Sequence, residues 1–245
     1  MNVIATASLS YPKTEYRINQ DKIFAPLLTG RGLLMAVADG VGSYSGASEA
    51  SSIAIDVISE INVIENYIDC RAIFEEILER IKKKTSEDAT LKNAATTLTF
   101  CYLMENGCWV GHIGDCRLYA KFGSKLIQLT KDHTQHQMLL DEGVFTKKQL
   151  QDKPGKNILT TAISANTEMK HDVFFIPSDE LKCDDETITL YIMSDGAHSS
   201  WEKRPRFSVR TMSDPIKFTN GLMRRIERQG PTDDYSIVGI MIDLK

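Results

Sequence analysis

Residues 33–38, Leu-Leu-Met-Ala-Val-Ala, form a short apolar run that stops at Asp39-Gly40. An apolar run of this length bounded by turn residues predicts a buried strand. Over 47–61 the spacing lengthens. Ala50, Ile53, Ala54, Val57, Ile58 and Ile61 recur every three or four residues, which predicts an amphipathic helix. Residues 70–84 repeat that pattern with Ile73, Ile77, Leu78 and Ile81, and Lys82-Lys83-Lys84 close the segment in a way that suits the helix dipole. The period then changes to two. Residues 96–104 are β-branched and aromatic, and Glu105-Asn106-Gly107 carries the Asn-Gly hairpin signal. Short strands are predicted at 108–113, 117–121 and 125–129, with a turn at Gly123-Ser124, and again at 187–193 and 235–242. Helices are predicted at 134–142, 146–151 and 214–228.

Strands fall in hairpins while helices come in runs. That arrangement predicts an α+β fold with largely antiparallel sheets rather than a doubly wound parallel one. The chain shows no repeat, no low-complexity tract and no Pro/Gly/Ser-rich linker, so a single domain over residues 1–245 is expected.

Composition narrows the function classes. With 29 Lys and Arg against 33 Asp and Glu the net charge is −4, and no basic stripe offers itself to nucleic acid or an anionic membrane. Five scattered cysteines without a C-x-x-C pair do not form a disulfide framework and suit a reducing compartment. The N-terminal stretch lacks the basic start and apolar centre of a signal peptide, and no apolar run approaches a membrane span. The expectation is a soluble, cytoplasmic protein. Neither G-x-G-x-x-G nor a Walker A sequence is present.

The aspartates are informative by location. Asp39 ends the run at 33–38 and precedes Gly40-Val41-Gly42. Asp115 lies in Gly114-Asp115-Cys116-Arg117 between two predicted strands. Asp195 follows the strand at 187–193 in Ser194-Asp195-Gly196, and Asp233 lies in Thr232-Asp233-Asp234-Tyr235 just before another. A carboxylate at the end of a buried strand costs desolvation energy unless it is hydrogen-bonded or binds a cation. Converging carboxylates also repel one another, and a divalent metal resolves that repulsion. Any one Asp-Gly pair is usually only a turn. The ordered combination points to a metal site.

These motifs resemble those of the metal-dependent protein serine/threonine phosphatases of the type 2C class. The matching stretches are Asn19-Gln20-Asp21, Ala38-Asp39-Gly40-Val41-Gly42, Gly114-Asp115-Cys116-Arg117, Leu129-Thr130-Lys131-Asp132-His133, Asn157-Ile158-Leu159-Thr160, Ser194-Asp195-Gly196 and Asp233-Asp234-Tyr235-Ser236. They follow the family's order along nearly the whole chain, in a variant that looks bacterial because Val41 stands where eukaryotic members often have His. The resemblance implies a four-layer sandwich, two antiparallel β-sheets flanked by α-helices. It implies hydrolysis of phosphoserine and phosphothreonine by a hydroxide bridging two Mn²⁺ or Mg²⁺ ions. Asp39 would bridge the ions, the Gly40 carbonyl would join the second, Asp195 and Asp233 would hold the first, and Asp21 would orient waters. Asp39, Asp195 and Asp233 thus form the implied catalytic set, and Asp115 with Asp195 would hold a weaker third ion. Hard oxygen ligands suit these metals rather than zinc.

Several positions depart from the family pattern. Arg17, the implied phosphate-binding residue, stands three residues before Gln20, one fewer than usual; a solvated surface Arg is the competing reading. Gln20 replaces an acid, Val41 cannot act as a general acid, and Ser199 stands where some relatives place another acid. His133 and His136 have helical spacing compatible with zinc, but no further ligands follow at zinc spacing. His198, three residues after Asp195, could approach the substrate but reads first as surface polar packing, Cys116 reads as structural, and Arg117 as an ion-pair partner of Asp115. The implied partners are phosphoprotein substrates and a Ser/Thr kinase or its targets, with the chain a monomer. The competing functions are a phosphatase-like binding module without turnover and a two-metal phosphohydrolase of small molecules.

Overall fold

The computed structural model describes residues 1–42, 45–61, 68–150, 153–183 and 186–244. Among these, the strands are β1 (Asn2–Tyr11), β2 (Asp21–Thr29), β3 (Gly32–Asp39), β4 (Ala95–Thr96), β5 (Leu98–Met104), β6 (Gly107–Ile113), β7 (Arg117–Phe122), β8 (Lys125–Gln128), β9 (Ile163–Ser164), β10 (Asp172–Pro177), β11 (Thr187–Met193) and β12 (Tyr235–Asp243). The helices are α1 (Ser45–Ser59), α2 (Cys70–Glu87), α3 (Gln135–Asp141), α4 (Lys147–Leu150), α5 (Ser178–Leu181), α6 (Asp195–Lys203), α7 (Val209–Ser213) and α8 (Pro215–Gln229). One sheet has the order β1-β12-β11-β7-β8 and the other β10-β6-β5-β3-β2, with every pairing antiparallel.

The continuous apolar runs are explained by burial on both faces. Along β3, Leu33, Met35 and Val37 point into a core shared with Leu118, Ile188, Leu190, Ile192 and Val238 of the facing sheet. The alternate residues Leu34, Ala36 and Ala38 face outward, against Ala50, Ile53, Ala54 and Val57 of α1 and Ile73, Phe74, Ile77 and Ile81 of α2. On the other outer face, Trp201 of α6 and Phe218, Leu222 and Ile226 of α8 cover Tyr119, Tyr191, Met193, Tyr235 and Ile237. Period-two alternation thus serves two cores at once, and the four layers follow.

The boundaries differ from the sequence pattern in instructive ways. The predicted strand at 96–104 is split. Ala95 and Thr96 leave the main sheet to pair with β9, and Thr97 donates its N–H to the Asp39 carbonyl at 2.8 Å. Strand β5 begins only after that crossing. Helix α1 ends at Ser59 rather than 61, α2 runs on to Glu87, and α8 is shifted by one residue, with Asp214 as its N-cap. Position 151, the end of the predicted helix 146–151, lies outside the described residues.

Strands β1, β2 and β10 are not predicted by the hydrophobic pattern. All three are sheet edges, only partly buried, and β2 carries Pro26 at a register shift. Such strands mix polar and apolar residues and give a weak periodic signal. Helix α6 is also unpredicted, because its nine residues are mostly small and polar.

Candidate metal and phosphate site

Five elements deliver acids to one end of the sandwich. Asp21 opens β2 and Asp39 closes β3, directly opposite each other in the antiparallel register. Asp115 lies in the β6–β7 connection, where the chain passes from one sheet to the other. Asp195 is the first residue of α6, immediately after β11, and Asp233 lies just before β12. A cleft of about 350 Å³ is lined by Arg17, Asp39, Gly40, Asp115, Asp195 and Asp233. The sequence-predicted residues Arg17, Gly40, Asp39, Asp115, Asp195 and Asp233 are therefore brought together, and Asp21 lies directly behind Asp39.

Close packing explains two of the motif glycines, Gly40 and Gly196. A Cβ on Gly40 would stand 2.4 Å from the Ala47 carbonyl oxygen, and one on Gly196 would stand 2.1 Å from that of Asp234. Both positions admit only a bare backbone, so the acids beside them sit where α1 and the β12 approach nearly touch the strand ends.

The carboxylates differ in how they are held. Asp21 is buried, and its Oδ2 accepts from Ser194 Oγ at 2.7 Å, while Ser194 Oγ in turn accepts from the Ser236 N–H at 2.9 Å. Asp21 Oδ1 is buried without a hydrogen-bond partner. Asp234 is also buried, and it accepts from the backbone N–H groups of Lys13 and Gln20 at 2.7 and 2.8 Å. It ties the segment before β2 to the start of β12. Asp233 is half exposed and lies 3.5 Å from Arg17.

Burial and crowding raise the proton affinity of these acids. Asp21 is pushed up to about 7, chiefly by burial, against the lowering effect of its Ser194 and Ser236 contacts. Burial, then the neighbouring acids, raises Asp39 well above the usual carboxylate range. Asp115 is raised to about 8 and Asp195 to about 6, in each case by burial first and a neighbouring Asp second. A nearby cation would favour the ionised form of all four.

The donor set fits hard divalent ions. It consists of carboxylates, a backbone carbonyl and an orphaned carboxylate oxygen, and among the described residues no Cys or His lines the cleft. Among the described residues, no three His, Cys, Asp or Glu side chains form a closed ligand group. An ion here would take much of its shell from water, as Mg²⁺ does.

Three sequence readings are corrected. Arg117 does not pair with Asp115; it forms a two-pronged ion pair with Asp132, at 2.7 and 2.6 Å, and also binds Glu202. Planar guanidinium matches carboxylate best in that bidentate geometry. His198 is not surface packing. It is buried, its Nε2 is 3.1 Å from the Asp115 carbonyl oxygen, and burial holds its pKa well below the ordinary imidazole value. Arg17 is not a freely solvated residue: it donates to Gln20 Oε1 and faces Asp233 and Asp234.

Other readings stand. His133 meets Asp172 and the Gly114 N–H, whereas His136 meets the Pro154 carbonyl, so the two do not share a metal-ligand geometry. Cys116 is fully buried, lies 3.3 Å from Thr97 Oγ1, and its thiol is pushed far up by burial, which makes it inert as a nucleophile. Ser194 and Asp234 have no site role assigned from sequence, whereas His198 is singled out there as a residue that could approach the substrate. Ser194 and Asp234 lie within the motifs, and their adjacency to an Asp is the signal that could have found them; for His198 the signal is its place three residues after Asp195.

The sequence profile of the family described as Protein phosphatase 2C matches residues 14–230. The chain belongs to that family. A curated relative, the serine/threonine phosphatase stp of Listeria welshimeri, is 27% identical over 173 residues, which span 66% of each chain. The Mycobacterium tuberculosis serine/threonine phosphatase PstP/Ppp superposes with a TM-score of 0.78 at 23% identity, covering 98% of this chain and 99% of that one. A PstP catalytic domain solved with two manganese ions has a TM-score of 0.75 at 22% identity, covering 99% of this chain and 100% of that one. These structures share the fold of the present chain, including its two antiparallel sheets flanked by helices. Among the described residues, no helix is long and apolar enough to cross a membrane.

Proposed function

We infer that this chain is a metal-dependent phosphoprotein phosphatase acting on phosphoserine and phosphothreonine, with residues 1–245 working as one domain. The observation that carries the reading is the convergence of Asp21, Asp39, Asp115, Asp195 and Asp233 from separate elements on one end of the sandwich. Membership of the protein phosphatase 2C family supports it.

Asp39 and the Gly40 carbonyl, with Asp195 and Asp233, would hold two Mn²⁺ or Mg²⁺ ions, and Asp115 with Asp195 a weaker third. When bound, such a pair supplies a nucleophile at neutral pH and neutralises charge on the phosphoryl oxygens. The protein's own share is placement. Ser194 fixes Asp21 behind Asp39, and Asp234 fixes the segment carrying Arg17. Arg17 at the cleft presents a guanidinium to a phosphate. Val41 lines the same cleft and has no proton to give, so the leaving alkoxide takes its proton from water. The substrate is a phosphoprotein, the opposing activity is a Ser/Thr kinase, and the chain works in the cytoplasm as a monomer.

The test is turnover of phosphoserine and phosphothreonine peptides and of p-nitrophenyl phosphate with Mn²⁺, and its loss with EDTA. Absence of turnover at every Mn²⁺ concentration would overturn the reading.

A further inference from the structure

Beside the aspartate cleft lies a groove of about 570 Å³ between α3, α4 and the start of β7. Its charge is opposite to that of the cleft. Lys147 and Lys148 of α4 and Lys156 line it, all three exposed. Among the described residues, none of the three has a carboxylate within ion-pair distance. Among the described residues, the two carboxylates that line the groove, Asp132 and Glu202, are already engaged by Arg117. Among the described lining residues the balance is therefore positive, in a chain whose net charge is −4.

The groove and the catalytic cleft are continuous. Arg117, Asp132 and Lys156 line it and also line an opening of about 120 Å³ that contains Asp115, Asp195 and Asp233. Helix α4 is anchored by the buried Leu150, which keeps its lysines at the groove. A peptide whose phosphorylated residue enters the cleft would extend along these lysines.

We propose that this groove binds the acidic flank of phosphoprotein substrates, with Lys156 meeting the acid nearest the phosphorylated residue and Lys147 and Lys148 meeting acids farther out. The proposal rests on the phosphatase reading for its catalytic consequence, but the groove's preference for acidic peptide can be measured without turnover. Opposite charges across a contact steer encounter and set partner choice, and their effect falls with salt.

The experiment compares two fluorescent phosphoserine peptides of equal length, one with flanking Asp and Glu and one with Ser and Ala in their place. Binding is read by fluorescence anisotropy and turnover by phosphate release, in the native protein and in the double variant Lys147→Glu, Lys148→Glu. The native protein is expected to favour the acidic peptide about tenfold in Kd and kcat/KM at low salt. The preference should shrink at high salt and vanish in the variant. Circular dichroism and the melting temperature establish that the variant is folded, and Lys147→Gln, Lys148→Gln serves if it is not. Equal binding of both peptides by the native protein, or an unchanged preference in the variant, overturns the proposal while leaving the phosphatase reading intact. Selective binding of the acidic peptide without release of phosphate from any substrate supports the groove and overturns the phosphatase reading.

Discussion

Asp21 and Asp39 stand opposite each other at the same rung of the β2–β3 pair. Like charges placed directly across an antiparallel pair are destabilising. Both acids are raised above the ordinary carboxylate range, with burial the largest cause. The arrangement is a built-in demand for a cation or a proton, and it leads to the first prediction.

In the EDTA-treated protein, stability should fall between pH 5 and pH 8. An unfolded aspartate loses its proton near pH 4, whereas Asp21 holds its proton to about 7 and Asp115 to about 8. Across that window the folded state binds more protons than the unfolded one, so raising the pH favours unfolding. Mn²⁺ should raise the melting temperature more at pH 8 than at pH 5, because the ion replaces protons that are already lost. Equal Mn²⁺ stabilisation at the two pH values would count against the crowded-acid account.

Asp39→Asn should lower kcat by on the order of a hundredfold or more, the scale expected when a group that supports transition-state charge is lost. The variant should remain folded, and its EDTA-treated form should melt no lower than the native protein, since a crowded charge has been removed. Asp195→Asn and Asp233→Asn should behave alike. A native kcat in Asp39→Asn would exclude this acid from the reaction.

Asp115→Ala should fold normally and turn over phosphopeptide much more slowly. Arg117 is committed to Asp132 and Glu202, so removing the Asp115 carboxylate breaks no ion pair. A large drop in melting temperature would instead assign Asp115 a structural role, and a native rate at every Mn²⁺ concentration would remove its catalytic one.

Ser194→Ala should cost about 1–3 kcal/mol of stability, because it removes the donor to Asp21 and the acceptor of the Ser236 N–H inside a buried network. Urea unfolding measures this. A loss below a few tenths of a kcal/mol would mean that water replaces the hydroxyl.

Arg17→Ala should lower kcat/KM for phosphopeptide by roughly tenfold, the scale of a hydrogen bond to a charged group. If Arg17 serves only to neutralise Asp233, the same substitution will tighten Mn²⁺ binding and leave KM alone. Calorimetric Mn²⁺ titration beside steady-state kinetics separates the two roles.

The sequence by itself determined the α+β class and the identities of the acids, while the layers were implied only by the family resemblance of the motifs. The unbroken apolar run of β3 signals a strand buried on both faces, and the helical spacing of 47–61 and 70–84 supplies covers. Aspartates at strand ends beside glycines are visible as local motifs, because an Asp-Gly or Gly-Asp pair closing a strand is adjacent in the chain. Edge strands β1, β2 and β10 were illegible, since a half-exposed strand leaves little periodic trace. Only the tertiary structure decided the pairings. Arg117 chose Asp132 and Glu202 over the nearer-in-sequence Asp115, and His198 turned inward to the Asp115 carbonyl. It alone placed Asp21 against Asp39, separated the roles of Asp233 and Asp234, and set a lysine-lined groove beside the acids. Those outcomes depend on contacts between residues far apart in the chain, and hydrophobic periodicity carries no information about which distant side chains will meet.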